Sequence, residues 1–191
     1  MEGHTPLSKE VGLYFIAITP PPKIHQEIDS LKKHMRDKYG TRASLRSPPH
    51  ITLHMPFKRK THFESEIKIA LEDFSHQRTS FDIQLQGFGA FEPRVIYVNV
   101  EPAPGLQTLK ADLSLLMRKL LKEERSNYKN QPFRPHMTIA FRDLKKPAFH
   151  LAWEEFQNKS YQTNFECQSI QLLKHDGKEW HIFHSFPFAE R

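Results

Sequence analysis

The sequence predicts an α+β fold: a bilobal, duplicated chain whose two lobes, of similar plan, pair within one unit covering 1–191. Three observations carry this. Short apolar runs bounded by Gly or Pro alternate with amphipathic stretches, and one order of strand, Pro-rich turn, helix, loop, strand, helix, strand recurs in much the same form. Pro20-Pro21-Pro22 before one helix matches Pro102 and Pro104 before another, and Pro49-His50-Ile51-Thr52-Leu53 matches Pro135-His136-Met137-Thr138-Ile139. No low-complexity or Gly/Ser-rich linker divides the copies, which favours paired lobes over two tethered beads.

The elements follow in order. Gly12–Thr19 is an apolar run between Gly and Pro and predicts a strand. From Lys23, the residues Ile24, Ile28, Leu31, Met35 and Tyr39 recur every three or four positions, one face of a helix that Pro22 starts and Gly40 stops. Ala43–Arg46 reads as extended. His50–Phe57 alternates and predicts a strand; Phe63, Ile67, Leu71 and Phe74 mark a second helix; Ser80–Gln86 alternates again. Arg94–Val100 is a β-branched strand, and Leu106, Leu109, Leu113, Leu116 or Met117, and Leu120 stripe a third helix. A polar loop over Glu124–Pro135 leads to the strand His136–Phe141, then a weaker helix over Pro147–Asn158. Two last strands, Phe165–Leu173 and Glu179–Phe186, are joined by a hairpin whose signal is Asp176-Gly177.

Composition narrows the class. Hydrophobic residues make up 38% and aromatic residues 12% of 191, too many for a disordered chain. The lone cysteine, Cys167, excludes an internal disulfide framework and a Cys-rich zinc site. Met1–Val11 has no apolar signal core, and no run approaches the ~20 residues of a membrane span. The expectation is a cytoplasmic protein with no membrane partner, and a monomer. A net charge of +6 fits an anionic partner, although surplus charge also serves solubility.

Two strands carry the chemistry. Strand residues two apart share a face, roughly 7 Å from one another. His50, Thr52 and His54 therefore stand on one face opposite Ile51, Leu53, Met55 and Phe57, and His136, Thr138 and Ala140 stand opposite Met137, Ile139 and Phe141. With the lobes facing each other, both polar faces meet in one cleft. Two imidazoles titrating near pH ~6.5 can supply one base and one acid, and two hydroxyls can hold the non-bridging oxygens of a phosphoryl group. A cyclic phosphodiester needs that set, without a metal. Core histidines, or two ligands of a metal site, are the competing readings; the latter lacks a third ligand beside either motif.

On these residues the chain resembles the 2H phosphoesterases, in their LigT-like branch, the 2′-5′ RNA ligase or RNA 2′,3′-cyclic phosphodiesterase family. The signature is a pair of His-x-Thr/Ser-x motifs, here His50-Ile51-Thr52-Leu53 and His136-Met137-Thr138-Ile139. The similarity runs from about Gly12 to Phe188, and Gly87–Phe91 looks like the stretch between the lobes. The resemblance implies an antiparallel sheet with packed helices in each lobe and a central cleft. It also implies a cyclic phosphodiesterase acting on an RNA 3′ end or nucleotide to leave a 2′-phosphate. His50 is then proton donor, His136 acceptor, and Thr52 and Thr138 phosphate contacts. No cofactor is expected, and 2′-5′ RNA ligase activity belongs to the same family; no Gly-rich phosphate loop supports ATP-dependent ligation. The alternative is a non-catalytic RNA- or nucleotide-binding module using the same cleft.

Lesser candidates surround the motifs. His54 and Arg134 could touch substrate, as could Arg46 and Arg142, and Phe57, Phe91 or Phe133 could stack a base but fit a core as well. Cys167 reads as a small core residue. His181 and His184 fall on opposite faces of the last strand by parity, and Lys119–Arg125 reads as a solvated helix end.

Overall fold

In a computed structural model, residues 10–122 and 132–189 are described. Most of the Glu124–Pro135 loop and the end of the Lys119–Arg125 run lie outside them. Eight strands form two four-stranded sheets, with every neighbouring pair antiparallel. The first has the order β2-β1-β7-β8, from β1 (Val11–Ile18), β2 (Ile51–Lys60), β7 (Ser169–His175) and β8 (Trp180–Pro187). The second has the order β5-β4-β3-β6, from β3 (Phe81–Phe91), β4 (Val95–Val100), β5 (His136–Ala140) and β6 (Gln162–Cys167).

The lobes are thus not the two halves of the chain. The first sheet is closed by the last two strands, and the second is built from the middle of the sequence. The expected single strand Phe165–Leu173 breaks at Gln168, sending β6 to one sheet and β7 to the other. The cause lies in the pattern itself: Phe165 and Cys167 bury on odd positions, Ile170 and Leu172 on even ones. A continuous strand could not place both pairs on one face. Gly87–Phe91 is the second half of β3, paired with β4, rather than a connector between lobes.

Four helices, α1 (Pro22–Tyr39), α2 (Glu64–Ser75), α3 (Pro104–Leu121) and α4 (Lys146–Phe156), cover one side of the sheets. Pro occupies the first turn of α1, α3 and α4, where its missing N–H costs nothing. Gly40 ends α1 at φ 74°, its N–H donating to the Arg36 carbonyl at 3.0 Å. α1 packs against β5, α2 against β8, α3 against β2 and β3, and α4 against β4. One continuous core results, drawing on both sheets and all four helices. Each of its fully buried Ile, Leu or Phe side chains contributes about 1.5–3 kcal/mol, so packing alone can hold a fold whose single thiol is free. The opposite face of the first sheet carries a small separate cluster of Phe15, Ala17 and Leu173, with Trp180 against it.

Ala43–Arg46, expected to be extended, is a 3₁₀ turn. The Asp143 carboxylate caps its start, accepting from the Arg42 N–H at 2.7 Å and the Ala43 N–H at 3.1 Å. That partner is too remote in sequence for local propensity to reveal it.

Candidate active site

Each histidine motif lies on an edge strand, β2 in one sheet and β5 in the other, and these two edges approach each other between the sheets. Their internal construction is the same. The His50 Nδ1 lies 2.7 Å from the Pro48 carbonyl, and the His136 Nδ1 lies 2.7 Å from the Arg134 carbonyl. A carbonyl only accepts, so Nδ1 carries the hydrogen in each ring and Nε2 is left with a lone pair for chemistry. The proline before each histidine restricts the residue ahead of it to extended backbone, which sets up this bond two residues back.

Both strands also bulge at one equivalent place. Thr52 pairs with Ala17 but His54 with Ile16, leaving Leu53 as the extra residue; Thr138 pairs with Tyr97 but Ala140 with Ile96, leaving Ile139. Ala17 belongs to the small cluster on the face away from the helices, so Thr52 stands on that face. His54 does not. It stands opposite Ile16 of the main core, its ring 5.5 Å from Phe57 and within the field of Lys110 on α3. Its counterpart Ala140 is wholly buried in that core. The expectation that His50, Thr52 and His54 share a face fails because simple alternation takes no account of the bulge. Met55 is exposed for the same reason, where an apolar contact was expected.

The rings are held by aromatic neighbours. His50 lies 4.8 Å from Phe15, while His136 sits between Phe91 at 5.0 Å and Tyr97 at 4.9 Å. Gly89 makes the second arrangement possible, since a Cβ there would come within 2.6 Å of both the Tyr97 ring and Asn99 Oδ1. Arg134 is exposed, and its described contact to His136 is through its backbone carbonyl. Phe57 is buried in the main core and Phe133 packs at its margin.

Burial lowers the pKa of His50 to about 4 against the pull of the Pro48 carbonyl, and the nearby Lys32 and His136 charges push it further down. Burial lowers His136 as well, opposed by the Arg134 carbonyl. Each histidine is therefore neutral at pH 7 in the free protein, and a charge on one is felt by the other. Lys32 is a residue that sequence reasoning missed. It is buried on α1, donates to the Ser47 carbonyl at 2.9 Å, and lies 3.7 Å from Asp29. Its signal was its place: four residues after Ile28, on the stripe that buries Ile24 and Met35.

Two further expectations resolve here. Cys167 is buried, its thiol pushed up to about 12 by burial, which suits a packing role. His181 pairs with Lys174 and His184 with Leu172, residues two apart on β7, so a bulge at Phe183 places the two histidines on one face rather than opposite faces. Among the described residues, no three His, Cys, Asp or Glu side chains gather to hold a metal ion, and no helix is long and apolar enough to cross a membrane.

Comparison with known proteins places this arrangement. The family model of the 2′-5′ RNA ligase superfamily matches residues 20–179, which include both histidine strands. A protein of Geobacillus sp. (strain WCH70) named "Putative phosphoesterase GWCH70_0799" is 25% identical over 176 residues, 91% of this chain and 94% of its own. A similarly named protein of Bacillus cytotoxicus is 30% identical over 127 residues, 65% of this chain and 67% of its own. Among solved structures, TT0787 of Thermus thermophilus superposes with a TM-score of 0.73 at 21% identity, covering 94% of this chain and 100% of that one. E. coli LigT complexed with 3′-AMP does so with 0.69 at 17%, covering 95% and 100%. The two structures share the fold, the family match spans most of the sequence, and the chain belongs to the 2′-5′ RNA ligase superfamily.

Proposed function

We propose that this protein is a metal-independent phosphodiesterase that opens a 2′,3′-cyclic phosphate, on an RNA end or a nucleotide, to a 2′-phosphate. One observation carries the reading: two histidines on facing edge strands, each tied through Nδ1 to the carbonyl two residues back, leave two Nε2 atoms for one substrate. The nucleotide complex of LigT, a protein of like fold, supports a nucleotide-sized ligand.

In this reaction water attacks phosphorus, and His136 Nε2 takes the proton the water loses. The P–O3′ bond breaks, and His50 Nε2 gives its proton to the departing O3′. Thr52 and Thr138 hold the non-bridging oxygens. The direction of proton flow follows the resemblance to the 2H family, and the field around His50 suits it: burial and the Lys32 charge make the His50 imidazolium a strong acid. The anionic phosphate supplies the charge that lets His50 hold a proton on binding. With an RNA 5′-hydroxyl in the place of water, the same exchange forms a 2′-5′ linkage and needs no nucleoside triphosphate.

The test is hydrolysis of adenosine 2′,3′-cyclic phosphate in excess chelator, with the products separated by chromatography. Formation of 2′-AMP, lost in His50→Ala and in His136→Ala, is expected. Tight binding without turnover would establish the binding-module alternative instead, and turnover that needs added metal would overturn the mechanism.

A further inference from the structure

The face of the first sheet that carries Thr52 continues well past the motif. β1 pairs without a shift against β7 from Tyr14 to Ala17 and against β2 from Val11 to Tyr14, so Ala17, Phe15, Leu13 and Val11 alternate onto this one face. Beyond the irregular stretch at His54–Phe57, β2 regains register: Leu13 pairs with Lys58 and Val11 with Lys60. Both lysines are exposed and stand on the Thr52 face, about 13 and 20 Å from it along the strand at ~3.3 Å per residue. On the other side of β1, Trp180 stands edge-on to Phe15 at 4.6 Å and packs against His175 at 4.9 Å. By register, no Asp or Glu among the described strand residues of this sheet shares the face; Glu64 bonds Tyr14 and Lys174 on the opposite one. Val11 and Ile182 are half exposed there, at 55% and 48%.

We infer that this face is a track for single-stranded RNA, holding the nucleotides 5′ to the terminal phosphate at Thr52, with Lys58 and Lys60 on their backbone phosphates. The occupant is fixed by chemistry. Spaced cations on a face to which the strands bring no Asp or Glu suit a polyanion, and the flat aromatic surface of Trp180 suits bases of any identity. A lone nucleotide would reach neither lysine. The direction of the strand rests on the cyclic-phosphate reading, whereas the presence of the track does not.

The test uses the full chain and its Lys58→Glu/Lys60→Glu double variant, checked for an unchanged melting curve. Binding is read by fluorescence anisotropy with a labelled RNA pentamer ending in a 3′-phosphate, and turnover with a pentamer ending in a 2′,3′-cyclic phosphate and with the matching mononucleotide. The variant is expected to bind the labelled pentamer at least tenfold more weakly. Its slope of log K against log salt should be less negative by about 1.4, the share of two single-strand phosphate contacts. Its pentamer-to-mononucleotide ratio of kcat/KM should fall at least tenfold. Pentamer affinity within twofold of wild type overturns the track, as does displacement of the RNA by polyglutamate at equal charge concentration. Loss of RNA binding in a protein that turns over neither substrate keeps the track and overturns the cyclic-phosphate reading. Mononucleotide turnover with unaltered pentamer binding does the reverse.

Discussion

Asp143, three residues beyond β5, accepts a hydrogen bond from the Thr41 hydroxyl at 2.5 Å across 102 residues of sequence. Thr41 is completely buried and leads into the turn that delivers the His50 strand, so this bond ties the exit of one histidine strand to the entry of the other. Two edge strands from different sheets share no ladder, and their separation must be set by contacts of this kind.

Asp143→Ala should therefore lower kcat by about tenfold, because small errors in placing reacting groups are costly. It should also destabilise the fold by about 1 kcal/mol, the usual cost of a lost cap. Partial burial pulls the Asp143 carboxyl up, but the Thr41 hydroxyl and the Arg42 and Ala43 amides together hold it below 3.8. The stabilisation is thus complete above that value and is lost as pH falls through the lowered folded-state value. Thermal melts of wild type and variant should converge in acid. A variant with full kcat would show that the strands are spaced by something else.

His50→Ala and His136→Ala should each lower kcat on cyclic phosphate by about 10²–10⁴, with the double variant little worse than either, since the pair acts as a unit. An aryl phosphodiester separates the roles because its leaving group departs without a proton. His50→Ala should lose far less rate on that substrate than on the cyclic phosphate, while His136→Ala should lose as much on both. The opposite pattern would exchange donor and acceptor.

Lys32→Met should raise the pKa of His50 and leave that of His136 nearly unmoved, read from imidazole proton shifts by NMR. Burial brings the Lys32 ammonium itself down to about 8, opposed by Asp29, so it is still charged at pH 7 and acts on His50. Addition of inorganic phosphate should raise His50 in both proteins. An unshifted His50 in the variant would mean that the Lys32 charge has no part in setting its pKa.

Much of this was legible in the sequence because it is local. The two His-x-Thr strands, the proline-started helices and the Asp176-Gly177 hairpin depend on neighbours within a few residues, and each stands where its pattern places it. What failed was long range or broke alternation. Nothing near Gln168 announces a change of sheet except a shift in parity between Cys167 and Ile170. The 3₁₀ turn at Ala43 depends on Asp143, a hundred residues away. Lys32 was hidden by its residue type, since a lysine on an apolar stripe is ordinarily read as a solvated one.

His54 gives the last test, because alternation and register disagree about it. On the core side of β2 it should take no part in turnover, and His54→Leu should retain the wild-type kcat/KM. Burial and then the Lys110 charge lower its pKa to about 4, against 6.5 for a free imidazole. As pH falls below 6.5 the unfolded chain takes up a proton that the folded one refuses, so stability drops progressively between about 6.5 and about 4. His50 is lowered to a similar value, so His54→Leu should flatten part of this acid loss, not all of it. Urea melts at pH 7 and pH 4.5 should show a smaller difference in the variant than in wild type. A large fall in kcat/KM would instead return His54 to the face of His50 and Thr52.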